Sequence, residues 1–88
     1  MAMTKADAKN AQIAVQYWIT DNPVGALPAD GPVNGPGILP TYNLARVSKG
    51  VTLQVANGGD ITASHFALDG NFKVNADGSI EDTLQIRH

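Results

Sequence analysis

The sequence contains no cysteine and carries little charge, and both features narrow the possible functions. Without cysteine the chain has no disulfide framework, no thiol nucleophile and no thiolate ligand for a metal. Charged residues make up 16% of the chain, and six basic against eight acidic residues give a net charge of -2. Nucleic-acid binding usually requires a basic surface, so this class is disfavoured. No apolar run approaches the roughly 18 residues that a membrane-spanning helix needs.

The length of the chain predicts a single small domain. Its 88 residues, with a mass of 9.2 kDa, leave no room for a second domain. The core of such a domain is modest, and we expect a thin stability margin. Because 43% of the residues are hydrophobic and few are charged, the surface must expose neutral polar and apolar groups. We therefore expect a partner to cover part of it.

The first segment has the pattern of an amphipathic helix over about residues 4–20. Thr4 as N-cap and Asp7 three residues later resemble a capping box, with Asp in place of the usual Glu. Pro23 disfavours helix at the residue before it and ends the pattern. Helical spacing places five apolar residues on one stripe, which we expect to pack on the protein's own sheet: Ala8, Ala11, Val15, Trp18 and Ile19.

A second apolar group projects from the other side of the same helix. Ile13 and Tyr17 are an i, i+4 pair, and Ala6 lies near them at helical spacing. A helix that lies on its own sheet needs only one apolar stripe. The sequence therefore predicts that Ala6, Ile13 and Tyr17 face another molecule.

The segment of about residues 21–46 contains all five prolines of the chain. Proline fixes φ and removes a backbone donor, so this spacing excludes a long helix or a central strand. Apolar residues, among them Val33, Ile38 and Leu39, are interleaved with the prolines. We interpret the segment as a long Gly/Pro loop pinned across a surface. Val33, Ile38 and Leu39 are assigned to the same candidate subunit interface as the helix residues.

Residues of about 50–87 have the pattern of antiparallel strands joined by short turns. Residues 51–56 alternate apolar and polar, so Val51, Leu53 and Val55 share one face. Short turn signals rich in Gly, Asn and Asp separate this strand from three further segments, at 61–67, 72–75 and 79–86. The predicted fold is α+β: one N-terminal helix packed on an antiparallel meander sheet of about four strands, linked by the Gly/Pro loop. The whole chain, 1–88, is expected to form this single domain.

No catalytic, cofactor-binding or metal-binding residue is predicted, and we do not expect an enzyme. Ser64 and His65 are neighbours in a strand, so their side chains point to opposite faces and cannot form a nucleophile–base pair. The turns at 69–71 and 75–79 offer oxygen ligands but lack the calcium-loop pattern with its final bidentate Glu. Asp, Asn and Gly are also ordinary turn residues.

The order of these segments resembles the C-terminal globular part of bacterial type IV pilins and the related pseudopilins. Segment 7–23 is similar to the second half of the long pilin helix, which in many members ends in an acidic, Asn- and Pro-containing stretch. Four later segments are similar in order to the strands of short pilins from metal-reducing bacteria, namely 48–55, 61–65, 70–74 and 77–80. The resemblance implies a structural subunit of a type IV pilus or pilus-like filament. Such a subunit has no cofactor and is exported to the cell surface, with a periplasmic pool before assembly.

The resemblance also implies the partners, which are other pilin subunits rather than nucleic acid or membrane. The apolar N-terminal helix half of the family, with its cleavage site, is not in the sequence. The disulfide that closes the C-terminal loop of many pilins is missing as well. Two explanations stay open: a truncated pilin, or the globular half of a split pilin whose filament core is a separately encoded short helical chain. The sequence also leaves open a major pilin, a minor pilin or a secretion pseudopilin.

A small binding or adhesion module is the alternative from another functional class. It would recognise an extracellular ligand through the Gly/Pro loop and remain a stable monomer. An enzyme fragment would need a concave site with converging polar groups, for which the sequence offers no candidate. Electron conduction along stacked aromatic rings is disfavoured, because the few aromatic residues are scattered along the chain.

Overall fold

The chain folds around one long N-terminal helix. The structure is a computed structural model and describes residues 2–23 and 25–86; position 87, the end of the predicted meander, lies outside the described residues. Helix α1 spans Ala2–Asp21, so the predicted helix of about 4–20 is correct in place and slightly short. At its end, the Asn22 backbone N–H donates to the carbonyl oxygens of Trp18 and Ile19 at 2.9 and 3.2 Å. Pro23 follows, where the backbone leaves the helix.

The predicted capping role of Thr4 is wrong, because Thr4 lies inside the first turns of α1. Its side chain is fully buried, and its Oγ1 has no hydrogen-bond partner within the described part of the chain. Asp7, the other half of the predicted capping box, is also buried. Its Oδ2 accepts a hydrogen bond from the Ser48 backbone N–H at 2.7 Å, and its Oδ1 accepts one from Ser48 Oγ at 3.0 Å. Tertiary contacts have therefore replaced the local cap.

Replacing Thr4 by valine is expected to stabilise the domain by about 1 kcal/mol, because a buried hydroxyl without a partner costs roughly 1–3 kcal/mol and valine has nearly the same shape. Urea unfolding followed by circular dichroism measures the change. Thr20→Val is the matched control: Thr20 is exposed and donates to the Gln16 carbonyl oxygen at 3.0 Å, so its effect should stay within about 0.5 kcal/mol of zero. A destabilised Thr4→Val variant would contradict the assignment.

The sheet has five strands rather than about four, and all neighbouring strands run antiparallel. The strands are β1 Asp30–Asn34, β2 Gly37–Ile38, β3 Arg46–Val47, β4 Val51–Val55, β5 Ile61–His65, β6 Leu68–Asp69, β7 Phe72–Val74, β8 Ile80–Asp82 and β9 Gln85–Ile86. The spatial order of the sheet is β1-β4-β5-β7-β8, and two small two-stranded ladders, β2-β3 and β6-β9, lie beside it. One N-terminal helix packed on an antiparallel sheet confirms the predicted α+β class.

The extra strand comes from the Gly/Pro segment, which is more ordered than predicted. Among the described strands, β1 pairs with β4 alone and forms one edge of the sheet. Pro32 within β1 is compatible with this position, because an edge strand can leave one side of its backbone unpaired. The prediction that this segment forms no central strand is confirmed, because β1 lies at the edge of the sheet. The prediction of a continuous loop over about residues 21–46 is wrong.

The core lies between α1 and one face of the sheet. In β4, Val51, Leu53 and Val55 are fully buried, as the alternation predicted, while Gln54 faces outward. The predicted helix stripe is confirmed at Ala8, Ala11 and Val15, and Trp18 packs against the core while partly exposed; Ile19 remains 36% exposed.

Tyr42 anchors the Gly/Pro segment to this core. It is 1% exposed, its hydroxyl donates to the Pro28 carbonyl oxygen at 2.7 Å, and its ring meets the Trp18 ring edge-on at 5.8 Å between centroids. The buried carboxylate of Asp30 accepts the backbone N–H groups of Thr41 and Tyr42 at 2.8 and 3.1 Å. Burial raises the pKa of the Tyr42 hydroxyl, and the nearby Asp30 carboxylate adds to the rise. The segment is therefore held by specific hydrogen bonds as well as by apolar contacts.

Candidate interaction surface

The side of α1 that faces away from the sheet carries an apolar ridge. Ala6 is exposed, Ile13 is 54% exposed and Tyr17 is 59% exposed. Positions separated by seven and four residues project from the same side of an α-helix, so these three side chains form one surface, here called the outer helix face. The structure thus brings together the three helix residues that the sequence singled out.

Two further apolar residues extend this surface beyond what the sequence analysis identified. Met3, 51% exposed, precedes Ala6 by three residues and continues the ridge toward the N-terminus. Leu44, 62% exposed, lines a small cleft of about 80 Å³ together with Tyr17 and Asn43. The i, i+3 spacing could have identified Met3. Leu44 belongs to a distant segment, and only tertiary packing places it beside Tyr17.

The loop residues assigned to the same interface are not all at the surface. Leu39 is fully buried in the core, so its assignment to a subunit interface is wrong. Its backbone N–H donates to the Ala45 carbonyl oxygen at 3.1 Å, next to the β2–β3 ladder. Neighbouring residues of a strand point to opposite sides, so Leu39 is buried where Ile38 is exposed. Val33 is half-buried and lies opposite Leu53 in the β1–β4 ladder, packed against the core.

Ile38, 52% exposed, lies in a separate groove. This open groove has a volume of about 410 Å³ and is lined by residues 36–38 and 46–48, none of which belongs to α1. Arg46, the cross-strand neighbour of Ile38, is its charged residue. The sequence-predicted interface therefore divides into the outer helix face, the groove at Ile38, and two residues that belong largely to the core.

The outer helix face is nearly neutral. Lys9 and Asp21, both exposed on α1, are the charged residues beside it, and Asp21 lines the cleft at Tyr17. Lys5 is turned aside and pairs with Asp82 of β8, with 2.8 Å between Nζ and Oδ2. Hydrogen bonding from Lys5, followed by that from the Leu84 backbone, lowers the pKa of the Asp82 carboxyl. Asp7 lies on the buried side of α1, away from this surface. A partner for this surface needs apolar groups rather than a particular charge.

Polar groups that could support chemistry have ordinary structural partners. His65 Nδ1 accepts the Ala67 backbone N–H at 3.0 Å, and the imidazole stacks on Phe66 at 4.8 Å between centroids. Asp77 Oδ1 accepts both the backbone N–H and the hydroxyl of Ser79, and these bonds lower the pKa of Asp77. Within residues 2–23 and 25–86, no three His, Asp or Glu side chains converge as metal ligands. In the same part of the chain, no helix is long and apolar enough to cross a membrane.

Comparisons with protein-family models, with curated proteins and with solved structures give no match to this chain. Its function must therefore be inferred from the surfaces themselves. Among the surfaces, the outer helix face brings several exposed apolar side chains together on one helix, α1. The groove at Ile38 is a separate concave surface, larger than the cleft at Tyr17.

Proposed function

We propose that the chain is a structural subunit of a type IV pilus or pilus-like filament, in which neighbouring subunits cover the outer helix face. The observation that carries this proposal is the division of α1 into two apolar sides. One side packs on the antiparallel sheet, while Ala6, Ile13 and Tyr17 remain exposed on the other. The ridge from Ala6 to Tyr17 extends about 16 Å along the helix, at 1.5 Å per residue. A helix with two apolar sides is suited to lie between its own sheet and a second helix.

The size of the ridge favours an assembly with many contacts over an isolated dimer. Stable interfaces bury about 800 Å² per partner, which is more than a few side chains of one helix can provide. Full burial of a side chain such as Ile13 contributes about 1.5–3 kcal/mol. In a filament each subunit has several neighbours, so individually weak contacts add up. We therefore propose that the isolated chain stays monomeric and assembles only with other subunits, including a separately encoded helical chain if the pilin is split.

Assembly is tested by the double substitution Ile13→Asp and Tyr17→Asp in an epitope-tagged chain expressed in its native cell. We expect the tag to appear in filaments sheared from the cell surface. The double variant should reduce the tag there by at least about tenfold, because burying two unpaired carboxylates costs several kcal/mol. Circular dichroism of the purified variant should be unchanged, since both residues are exposed.

Ile80→Asp is the matched control, because Ile80 is also 54% exposed but lies on β8 at the edge of the sheet. It should leave the amount of chain in the filament fraction unchanged. Equal loss in both variants would point to a general effect of added negative charge. Unchanged assembly of the helix variant, or absence of the unmodified chain from surface filaments, would overturn the proposal.

A binding module is the second candidate, and the groove at Ile38 is the observation that favours it. Its apolar walls and the guanidinium of Arg46 suit an extended ligand with an acidic group. Ile38→Asp would separate the two candidates. A binding module would lose its extracellular ligand with this substitution, whereas a filament subunit would still assemble.

A further inference from the structure

The chain contains two Asn–Gly pairs, Asn34–Gly35 and Asn57–Gly58. At such a pair the backbone nitrogen of glycine is unobstructed by a side chain and can attack the asparagine Cγ. A bond from this nitrogen to Cγ forms as the nitrogen gives up its proton, and the Cγ–Nδ2 bond breaks. The amide group takes up a proton and leaves as ammonia, giving a succinimide ring. Water then opens the ring to aspartate or isoaspartate. Both pairs undergo the same reaction and need only water as co-reactant. The local structure therefore decides how fast each pair reacts.

The first pair is hydrogen-bonded into the edge of the sheet, where β1 pairs with β4. Asn34 lies in β1 and pairs with Thr52, whose Oγ1 donates to Asn34 Oδ1 at 2.6 Å. The Gly35 N–H donates to the Val51 carbonyl oxygen at 2.8 Å. A Cβ on Gly35 would collide with the Ser48 carbonyl oxygen, so the backbone here has no free space. Ring closure would require the edge of the sheet to open.

The second pair lies in the exposed turn between β4 and β5. Around Gly58 there is open space, with nothing within 4 Å of the position of an added Cβ. Asn57 Oδ1 accepts the Ala29 backbone N–H at 3.0 Å, and the Gly58 N–H donates to the Leu27 carbonyl oxygen at 3.1 Å. Both partners belong to residues 27–29, here called the strap, which contains no helix or strand. Opening of the strap breaks both hydrogen bonds and so releases the Asn57 side chain and the Gly58 backbone nitrogen together.

We propose that Asn57 is a site of spontaneous deamidation, controlled by local opening of the strap. Two contacts hold the strap: the Tyr42 hydroxyl donates to the Pro28 carbonyl oxygen at 2.7 Å, and the Leu27 side chain packs against the core. The half-buried Leu27 side chain also lies at Gly59 in the same turn. Local openings of irregular segments require less free energy than disruption of a sheet. The reaction therefore proceeds at Asn57 in the folded protein. Reaction at Asn34 requires separation of β1 from β4, which is a larger unfolding event.

The two products differ in their effect on the turn. An aspartate at position 57 can still accept the Ala29 N–H, and it adds a negative charge near Asp60. Isoaspartate adds a methylene group to the backbone. This would disturb the hydrogen bond from the Ala56 N–H to the Asp60 carbonyl oxygen, now 2.7 Å. Isoaspartate formation thus loosens the β4–β5 turn and the strap, whereas aspartate formation preserves them.

Incubation of the purified chain at mildly alkaline pH, followed by peptide mapping with mass spectrometry, tests the proposal. We expect Asn57 to deamidate at least about tenfold faster than Asn34, which corresponds to about 1.36 kcal/mol less free energy of opening. In concentrated urea the two sites should react at similar rates, because neither has a native partner there. Equal rates in the folded chain, or no reaction at Asn57 while the unfolded chain reacts, would overturn the proposal.

Two core variants separate strap opening from global unfolding. Leu27→Ala should accelerate Asn57 by about fivefold or more, the factor that corresponds to roughly 1 kcal/mol, and should leave Asn34 nearly unchanged. Leu84→Ala removes another partly buried leucine of the core that does not belong to the strap. It should leave the rate at Asn57 unchanged. If Leu84→Ala accelerates Asn57 as much as Leu27→Ala does, deamidation follows global stability and the strap does not control it.

Discussion

Replacing Asp7 by alanine is expected to destabilise the domain by about 3 kcal/mol. The substitution removes both hydrogen bonds from Ser48 and leaves a part-buried backbone N–H without its partner; bonds to charged groups contribute about 1.5–3 kcal/mol and an orphaned donor costs a similar amount. A domain of this length has a total stability of roughly 4–13 kcal/mol. Urea unfolding of the purified variant measures the loss.

Asp7→Asn should recover much of this loss. The asparagine amide oxygen can accept the Ser48 N–H, and its amide nitrogen can donate to Ser48 Oγ. Asp21→Ala removes an exposed carboxylate at the other end of α1 and should change stability by less than about 0.5 kcal/mol. If Asp7→Ala behaves like Asp21→Ala, the contact between the helix and Ser48 does not stabilise the fold.

Replacing Tyr42 by alanine is expected to cost about 3–5 kcal/mol, as for other large buried aromatic residues. The effect comes from a cavity beside Trp18 and from loss of the bond to the Pro28 carbonyl oxygen. Tyr42→Phe keeps the ring and should cost only about 1 kcal/mol, the value of one hydrogen bond. Trp18 is the sole tryptophan of the chain and contacts this ring, so its fluorescence can follow the unfolding transition.

Tyr17→Ala is the control for residue type. Tyr17 is 59% exposed on the outer helix face, so its removal should change the free energy of unfolding by less than about 0.5 kcal/mol. Comparable losses at Tyr17 and Tyr42 would mean that the outer helix face belongs to the fold itself. In that case it would not be available to a neighbouring subunit.

The sequence predicted those features that depend on local periodicity. The two apolar sides of α1 follow from spacing alone, and the burial of β4 follows from strict alternation. Short glycine turns likewise placed β4, β5 and β7 in the correct order. The α+β class could be predicted because each of these signals lies within a few neighbouring residues.

Features that depend on distant pairing could not be predicted in this way. Strand β1 exists because it pairs with β4, about twenty residues later, and a proline-rich sequence gives no local strand signal. Asp7 satisfied a helix-cap pattern, yet its partner is Ser48, 41 residues away. Ile38 and Leu39 are adjacent and similar in character, and only the fold decides that one is exposed and the other buried.

The two outer strands of the sheet limit how copies of this chain can associate. One edge strand, β1, contains Pro32, and this residue cannot donate a backbone hydrogen bond. The other edge strand, β8, is three residues long, and its Glu81 and Asp82 are exposed. Short, charged or proline-containing margins oppose the addition of a further strand. Growth by continuous β-pairing, and with it amyloid-like polymerisation, is therefore discouraged at both ends of the sheet. Any ordered polymer of this protein should instead hold its subunits together through side-chain packing.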